Sequence, residues 1–353
     1  MNRTLLLTLL LCLAETLSAG KHPNVIKVKA GDAESLLAAL EKANELNADT
    51  MSERLYVLIP NGTYDLGERV LTTIGGHNIT LVGESMEGTV IRNAPPAAKE
   101  GISTTATLLN RGLNTYVQDL TLQNDLDYYS CGPAGRAVCW QDKGFRTIFK
   151  RVRMLSYQDT YYSHSEACQH YFEDCEIHGT VDFICGAGDV YFNRCLIVTE
   201  KRFPDGSGVN VIAAPRTSIT RWGYVFDHCT IRNNMSTFHY ARGWHTAPRC
   251  TWLYTRLETP EKLEATRFDP EGIRSVDNAF YEYHTTDMQG RDITPKSNIV
   301  NFVCKEDKRV LETVMTAQAA QQYTLKNVFP DWQPEKTTRR LCKEAEKLRK
   351  AHL

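Results

Sequence analysis

The chain has 353 residues, of which 42% are hydrophobic and 24% are charged, and its formal net charge is -1. This length and composition predict a globular protein with a sizeable core in one elongated domain. Basic and acidic residues are balanced and no long basic stripe occurs, which argues against a nucleic-acid partner.

The first 20 residues have the pattern of a secretory signal peptide. A basic start is followed by an apolar run over residues 5–14 and by small residues at 18–20. That run is too short to span a bilayer, and no later stretch reaches the roughly 20 apolar residues that a transmembrane helix needs. Lipidation at Cys12 is disfavoured because a leucine precedes it where a small residue is expected. We therefore predict that residues 1–20 are removed and that the protein is exported, to the periplasm or the medium.

A helical pattern follows over residues 33–46. Leu36, Leu40 and Ala43 lie on one helical face, and Asp32 can act as the N-cap. We predict that this helix covers the open end of the strand repeat that comes next, because an uncovered end would expose unpaired strand edges.

The middle of the chain repeats one short strand pattern, an aromatic residue followed by a small and then an apolar residue. Phe149, Phe172, Phe192 and Phe226 begin four copies, separated by 23, 20 and 34 residues. A recurring unit of this size, with insertions between copies, is typical of a solenoid in which each coil stacks on the previous one.

Cysteines recur within these copies at positions 175, 195 and 229. A strict period of two cannot place the aromatic, the cysteine and the next apolar residue on one side, so we predict a bend near each cysteine. We interpret Cys175, Cys195 and Cys229 as a buried column and not as metal ligands, since no Cys-x-x-Cys pair or histidine cluster accompanies them. Cys131 and Cys139 are candidates for a loop disulfide, although sequence alone cannot fix connectivity.

Two carboxylates stand 23 residues apart within longer motifs. Gln158-Asp159-Thr160-x-Tyr162 is followed by Gly179-Thr180-Val181-Asp182-Phe183-Ile184. This spacing is close to one coil, so both aspartates can meet on one outer face as an acid and a nucleophile. The two motifs together resemble the central motifs of the pectin methylesterase family.

The resemblance implies an all-β fold, a right-handed single-stranded parallel β-helix over residues 21–333. It extends from the turn at Pro60 to the segment that ends at Trp332. Beyond it, residues 334–353 form a charged tail with apolar residues at helical spacing, which we predict to be an amphipathic helix. This tail is a candidate cover for the other end of the coil stack.

The resemblance also implies a chemistry, the hydrolysis of methyl esters on galacturonate residues of pectin without a cofactor or a metal ion. Asp182 would attack the ester carbonyl, and Asp159 would protonate the departing methanol and then activate water. Gln158 would donate to the developing oxyanion. Arg242 would hydrogen-bond Asp182 and keep it ionised, because the segment from Tyr240 matches the family's Leu-Gly-Arg-Pro-Trp at its arginine and tryptophan.

Aromatic side chains are the candidates for contact with the sugar rings. Trp244 leads them because it follows the arginine of the family motif. Tyr162, Trp222 and Phe183 are weaker candidates, since core packing explains an aromatic residue equally well.

Two positions depart from the family pattern. Arg136 stands where the family has a second glutamine, and Cys185 stands where it has phenylalanine. An arginine could donate to the oxyanion, bind a carboxylate of an acidic glycan, or pair with Asp159 and remove its function as an acid. The smaller Cys185 should reshape the substrate wall. We therefore expect a decorated or complex methylated pectin as the substrate.

Three other functions remain open from sequence. A pectate lyase would share the fold but needs an acidic Ca²⁺ cluster. A polysaccharide-binding module would result if Arg136 has disabled the site, and an exported thioesterase would require an apolar groove. A polysaccharide is the only partner expected, and the chain is expected to be a monomer without a membrane span.

Overall fold

The structure is a computed structural model that describes residues 24–132, 134–245 and 247–353. The predicted signal peptide, with Cys12, lies outside the described residues. Strands make up most of the described chain. In chain order they are β1 (Asn24–Lys27), β2 (Leu55–Ile59), β3 (Gly62–Asp65), β4 (Thr72–Ile74), β5 (Ile79–Gly83), β6 (Thr89–Asn93), β7 (Leu108–Asn110), β8 (Tyr116–Asn124), β9 (Trp140–Asp142), β10 (Thr147–Leu155), β11 (Tyr161–Ser163), β12 (Gln169–Glu173), β13 (Glu176–Gly179), β14 (Val181–Gly186), β15 (Asp189–Asn193), β16 (Leu196–Thr199), β17 (Val209–Pro215), β18 (Tyr224–Asp227), β19 (Thr230–Asn233), β20 (Thr237–Ala241), β21 (Arg249–Leu253), β22 (Arg256–Leu257), β23 (Ala279–Tyr283), β24 (Thr286–Asp287), β25 (Ile299–Cys304) and β26 (Asp307–Glu312).

Helices occur mainly near the two ends of the described chain. The α-helices are α1 (Ala33–Leu46), α2 (Ala317–Ala320), α3 (Leu325–Val328) and α4 (Pro334–His352), and short 3₁₀ turns cover Ala97–Lys99, Tyr128–Cys131 and Pro260–Lys262. Among the described residues, none of these helices is both long and apolar enough to cross a membrane.

Each strand pairs in parallel with the equivalent strand of the next coil. Seventeen of the described strands form one large sheet, and seven form a small sheet in the order β20-β17-β14-β11-β9-β7-β4. Among the described strands, β25 and β26 are the one pair of strands joined antiparallel, as a hairpin. The predicted fold class is confirmed as a parallel β-helix, in which the chain returns to the same sheet once per coil.

The interior is organised around a ladder of aromatic rings. Phe149, Phe172, Phe192 and Phe226 are in register on successive coils, and Trp252 extends the ladder by one more coil. Neighbouring rings stack with centroids 4.3, 4.7, 4.4 and 3.8 Å apart. The repeat seen in the sequence therefore corresponds to a stack of buried rings, which stabilises the coils beyond the burial of their area.

The predicted bend near the repeat cysteines is present. The residue before Cys175, Cys195 and Cys229 has a positive φ between 53° and 54°, which turns the strand between the two parts of the large sheet. All three cysteines are buried and free. Cys131 and Cys139 are also free, so the candidate disulfide between them is not formed.

The predicted N-terminal helix is confirmed as α1, with Asp32 accepting a hydrogen bond from the Ser35 amide at 2.9 Å. Its buried residues join the core at the first coil. The prediction for the tail was wrong in one respect. Helix α4 lies against β2 and β10 on the outer face of the large sheet, where its Leu341, Ala345 and Leu348 are buried. Core residues of the β25–β26 hairpin join the last coils instead.

Candidate active site

A pocket of about 340 Å³ lies on the outer face of the small sheet. It contains both aspartates of the sequence motifs. Its lining residues are Ile102, Arg136, Gln158, Asp159, Asp182, Cys185, Arg242, Gly243, Trp244, His245, Glu271, Gly272 and Arg274. Polar and charged side chains dominate this lining, unlike an apolar acyl-binding groove.

Strand register places the two aspartates on adjacent coils. Tyr161 of β11 pairs with Ile184 of β14, and the Asp159 amide reaches the Val181 carbonyl at 3.4 Å. The register of β14 with β17 shifts between Val181 and Ile184, and Asp182 has a φ of 52° within this bulge. Such a bulge redirects a side chain, and here it turns the Asp182 carboxylate into the pocket.

Two glycines, one in the second motif and one just after it, are required by packing. A Cβ on Gly179 would lie 2.1 Å from the Cβ of Phe183 and 2.5 Å from the Tyr157 carbonyl oxygen. Gly186 has a φ of +116°, a region open mainly to glycine, and a Cβ there would meet the Ser163 carbonyl oxygen at 1.9 Å. Glycine at these two positions therefore lets the strand pack closely enough to hold Asp182 in place.

Arg242 forms a bidentate salt bridge with Asp182. Its Nε donates to Oδ1 at 2.8 Å and its Nη2 to Oδ2 at 2.5 Å. The remaining Nη1 donates to Glu271 at 2.7 Å. Burial raises the pKa of Asp182, and the hydrogen bonds and charge of Arg242 oppose that rise. A bidentate pair of this kind favours the ionised carboxylate.

Asp159 has a different environment. It is 4% exposed, and no cation among the described residues forms a bidentate pair with it. Burial and the neighbouring charge of Asp182 raise its pKa well above the usual value, while Arg136 and Arg242 act weakly against that rise. Two adjacent carboxylates cannot both ionise easily, and these environments favour the proton of the pair on Asp159 over Asp182.

Gln158 and Cys185 complete the floor beside the aspartates. The Gln158 side chain lines the pocket, and its Oε1, an acceptor, is buried without a hydrogen-bond partner among the described residues. The Cys185 thiol is 1% exposed and lies next to Asp159. Burial and the two carboxylates raise its pKa well above normal, which keeps the thiol protonated and unreactive.

Arg136 does not pair with Asp159. Its Nε donates to Glu100 Oε1 at 2.5 Å and its Nη2 to Glu100 Oε2 at 3.3 Å, while the Arg136 amide donates to the same carboxylate at 3.2 Å. Glu100 comes from the loop between β6 and β7. Arg136 therefore lines the pocket, and Glu100, which does not line it, compensates its charge. Arg136 makes no ion pair with Asp159.

Of the four aromatic candidates for sugar contact, two lie at or beneath the pocket and two lie away from it. Trp244 lines the pocket, and Tyr162 is buried beneath it with ring centroids 6.1 Å apart. Phe183 is fully buried in the interior, and Trp222 packs on Tyr323 below the C-terminal segment on the large sheet. The placement of Phe183 and Trp222 corrects the expectation that they face the substrate, because neither side chain reaches the pocket.

Several pocket residues had no signal in the sequence. Ile102, Glu271 and Arg274 line the pocket from loops outside the motifs, and Glu100 binds Arg136 from such a loop. Only the coiling of the chain brings those loops beside the aspartates. Among the described residues, no group of three or more His, Cys, Asp or Glu side chains is placed to hold a metal ion.

Comparison with known sequences decides the family. A sequence profile described as Pectinesterase matches residues 24–259. The chain belongs to the pectinesterase family. Membership makes it an enzyme and a hydrolase, and the pocket described above is the candidate pectinesterase site.

Individual relatives agree with this assignment. Pectinesterase A of Dickeya chrysanthemi is 30% identical over 335 residues, which cover 82% of this chain and 86% of that protein. Probable pectinesterase 49 of Arabidopsis thaliana is 29% identical over 231 residues, which cover 65% of this chain and 60% of the relative. The chain thus spans about three fifths of the length of that plant relative.

Solved structures share the fold. A pectin methylesterase in complex with a hexasaccharide is 25% identical, with a TM-score of 0.64 over 83% of this chain and 93% of the other. Pectin methylesterase PemA from Erwinia chrysanthemi is 24% identical, with a TM-score of 0.66 over 90% of this chain and 99% of the other. The latter likeness concerns the fold alone, and it agrees with the coiled parallel strands of this pectinesterase-family chain.

Proposed function

We propose that this protein hydrolyses methyl esters on galacturonate residues of pectin, with Asp182 as the nucleophile and Asp159 as the acid and base. The observation that carries this proposal is the unequal environment of two adjacent carboxylates. Arg242 holds Asp182 through two hydrogen bonds that oppose the rise of its pKa on burial, whereas the pKa of Asp159 beside it is raised well above the usual value. One carboxylate is therefore ionised and the other protonated, as covalent ester hydrolysis requires.

In the first half of the reaction, an Asp182 oxygen attacks the ester carbonyl carbon. The carbonyl oxygen takes up the negative charge, and the Nε2 of Gln158, whose side chain lines the pocket, is the proposed donor for it. As the tetrahedral intermediate collapses, the bond to the methoxy oxygen breaks and Asp159 transfers its proton to that oxygen. The products are methanol and an anhydride between Asp182 and the galacturonate.

In the second half, the ionised Asp159 takes a proton from a water molecule, which attacks the anhydride. The bond to Asp182 breaks, the galacturonate leaves as a carboxylic acid that loses its proton to solvent, and both aspartates return to their starting states. Arg242 stays paired with Asp182 and stabilises its charge when it is released.

We further propose that the substrate is a decorated or complex pectin. Arg136 adds a cationic group at the pocket where the family has an amide, and its pairing with Glu100 leaves it at the pocket wall. Cys185 replaces a phenylalanine ring at the floor. Trp244 is the aromatic surface available to a sugar ring, and Tyr162 supports it from below. We expect an exported monomer whose signal peptide covers residues 1–20 and whose catalytic domain covers residues 21–333.

The test is methanol release from highly methylated pectin and from a structurally complex pectin fraction. We expect the wild-type protein to release methanol and Asp182→Asn to release none above background. Asp307→Asn, a change of the same kind on the exposed hairpin, serves as the matched control and should leave release intact. Binding of pectin without any methanol release by the wild-type protein would refute the proposal and favour a binding module.

A further inference from the structure

A column of basic side chains runs along one edge of the small sheet. Arg111, Lys143, His164 and Arg216 each occupy the position directly after a strand, namely after β7, β9, β11 and β17. We call these four residues the cationic column. The intervening coil has Ala187 at the same position, after β14.

Backbone hydrogen bonds hold this column in register. The amide of Lys143 donates to the carbonyl of residue 110 at 2.8 Å, that of His164 to residue 142 at 2.8 Å, and that of Arg216 to residue 186 at 2.7 Å. The amide of Trp244 donates to residue 215 at 3.0 Å. Adjacent parallel strands lie about 4.8 Å apart, so the column rises coil by coil and ends at the tryptophan of the pocket.

In the described part of the chain, carboxylates do not compensate the charges of Arg111, Lys143 and Arg216. Among the described residues, no ion pair joins Arg111, Lys143 or Arg216 to an acidic side chain. The nearby Glu166 binds the Ser218 amide and lies 3.8 Å from Arg221. Asp142, beneath the column, accepts hydrogen bonds from Asn110 and Trp140.

The members of the column lie close enough to repel one another. Burial, followed by the charges of Lys143, Arg216 and Arg111, lowers the pKa of His164. The Nε of Arg216 is buried without a partner among the described residues, and the Arg216 guanidinium lies 5.5 Å from the centre of the Trp244 ring. Uncompensated like charges destabilise a fold and attract a ligand of opposite charge.

We propose that the cationic column binds a run of free carboxylates on an acidic polysaccharide, as an extension of the pocket beyond Trp244. This inference rests on the proposed function for the identity of the sugar, a polyuronate. The column offers Arg111 and Lys143 on adjacent coils, and Arg216 beside Trp244, to a chain that carries one carboxylate per residue. A pectin with free carboxylates on one side of the reacting ester would therefore bind more tightly than a fully methylated chain.

The test measures binding of a fully de-esterified galacturonate oligomer, which carries no ester, to the full-length protein by titration calorimetry at low and high salt. The column variant is Arg111→Gln/Lys143→Gln. The control variant is Lys305→Gln/Lys308→Gln, which removes the same charge from exposed positions at the hairpin. Thermal unfolding of each variant verifies the fold.

We expect the column variant to bind the oligomer about 3- to 20-fold more weakly at low salt, since exposed ion pairs contribute modestly one by one. Its affinity should also depend less on salt, because fewer charge contacts are screened. The control variant should bind as the wild-type protein does. Lys143→Gln alone, expected to give a smaller loss, replaces the double variant if the latter does not fold, and Lys143→Arg should retain binding.

Equal affinity of the wild-type protein and the column variant for the oligomer would overturn the inference, as would equal losses in the column and control variants. The outcome is independent of catalysis. A wild-type protein that binds the oligomer through the column yet releases no methanol refutes the proposed function alone, and methanol release without column-dependent binding refutes this inference alone.

Discussion

Replacement of Arg242 by glutamine should move the acidic limb of the pH profile for methanol release towards higher pH. Asp182 must be ionised to attack, and Arg242 is the group that opposes the effect of burial on its pKa. Without the guanidinium, burial and the charge of Glu271 raise the pKa of Asp182, and only the charge of Arg202 opposes them. The pKa of Asp182 then rises, and a smaller fraction of the nucleophile is ionised at any pH below that limb.

The size of the effect follows from the geometry of the pair. Removing one partner of a buried, hydrogen-bonded ion pair costs about 3–5 kcal/mol. The side chains of Arg242 and Asp182 are 23% and 15% exposed, so the lower end of this range applies. With about 1.4 kcal/mol for each pKa unit, a cost of about 3 kcal/mol corresponds to a shift of roughly two units and a loss of about 100-fold in kcat/KM on the acidic side.

The assay is kcat/KM for methanol release between pH 4 and 9, with Glu271→Gln as the matched control. Glu271 binds the same guanidinium but is 70% exposed, so its loss should change the rate less than about fivefold. A rate for Arg242→Gln within threefold of the wild-type rate, with an unmoved acidic limb, would show that Arg242 does not control the ionisation of Asp182.

Three further outcomes can be measured. Arg136→Gln removes a charge that lowers the pKa of Asp159, so the alkaline limb of kcat/KM should move to higher pH by up to about one unit; a shift to lower pH would contradict this. Phe172→Ala leaves a void in the ring ladder and should lower the free energy of unfolding by about 3–5 kcal/mol, visible as a lower thermal midpoint, and an unchanged midpoint would refute the packing argument. Burial opposes the charge of His178, but its hydrogen bonds with two glutamates outweigh burial and raise its pKa above 6.5, so its contribution is complete below about pH 6.5 and is lost as pH rises through the raised value. The stability difference between the wild-type protein and His178→Gln should therefore shrink from pH 6 to pH 9 in thermal melts, and a constant difference would contradict the assignment.

Much of this protein could be predicted from the order of its residues because the determining interactions are local or periodic. The aromatic repeat predicts the coils, since one ring per coil must stack on the next, and the helical pattern after Asp32 predicts α1. The 23-residue spacing of Asp159 and Asp182 corresponds to adjacent strands, as their register requires. The bends before the repeat cysteines also follow from the period of two along a strand.

Tertiary structure alone decided the features that depend on distant loops and on which face of a strand a side chain occupies. Glu100 pairs with Arg136 from a neighbouring coil, and this contact keeps the arginine off the acid. Phe183 was predicted to face the substrate but is buried in the core, because its side chain packs into the interior of the coils. Helix α4 covers a sheet face and not an end, since its apolar side matches a surface formed only when the strands stack.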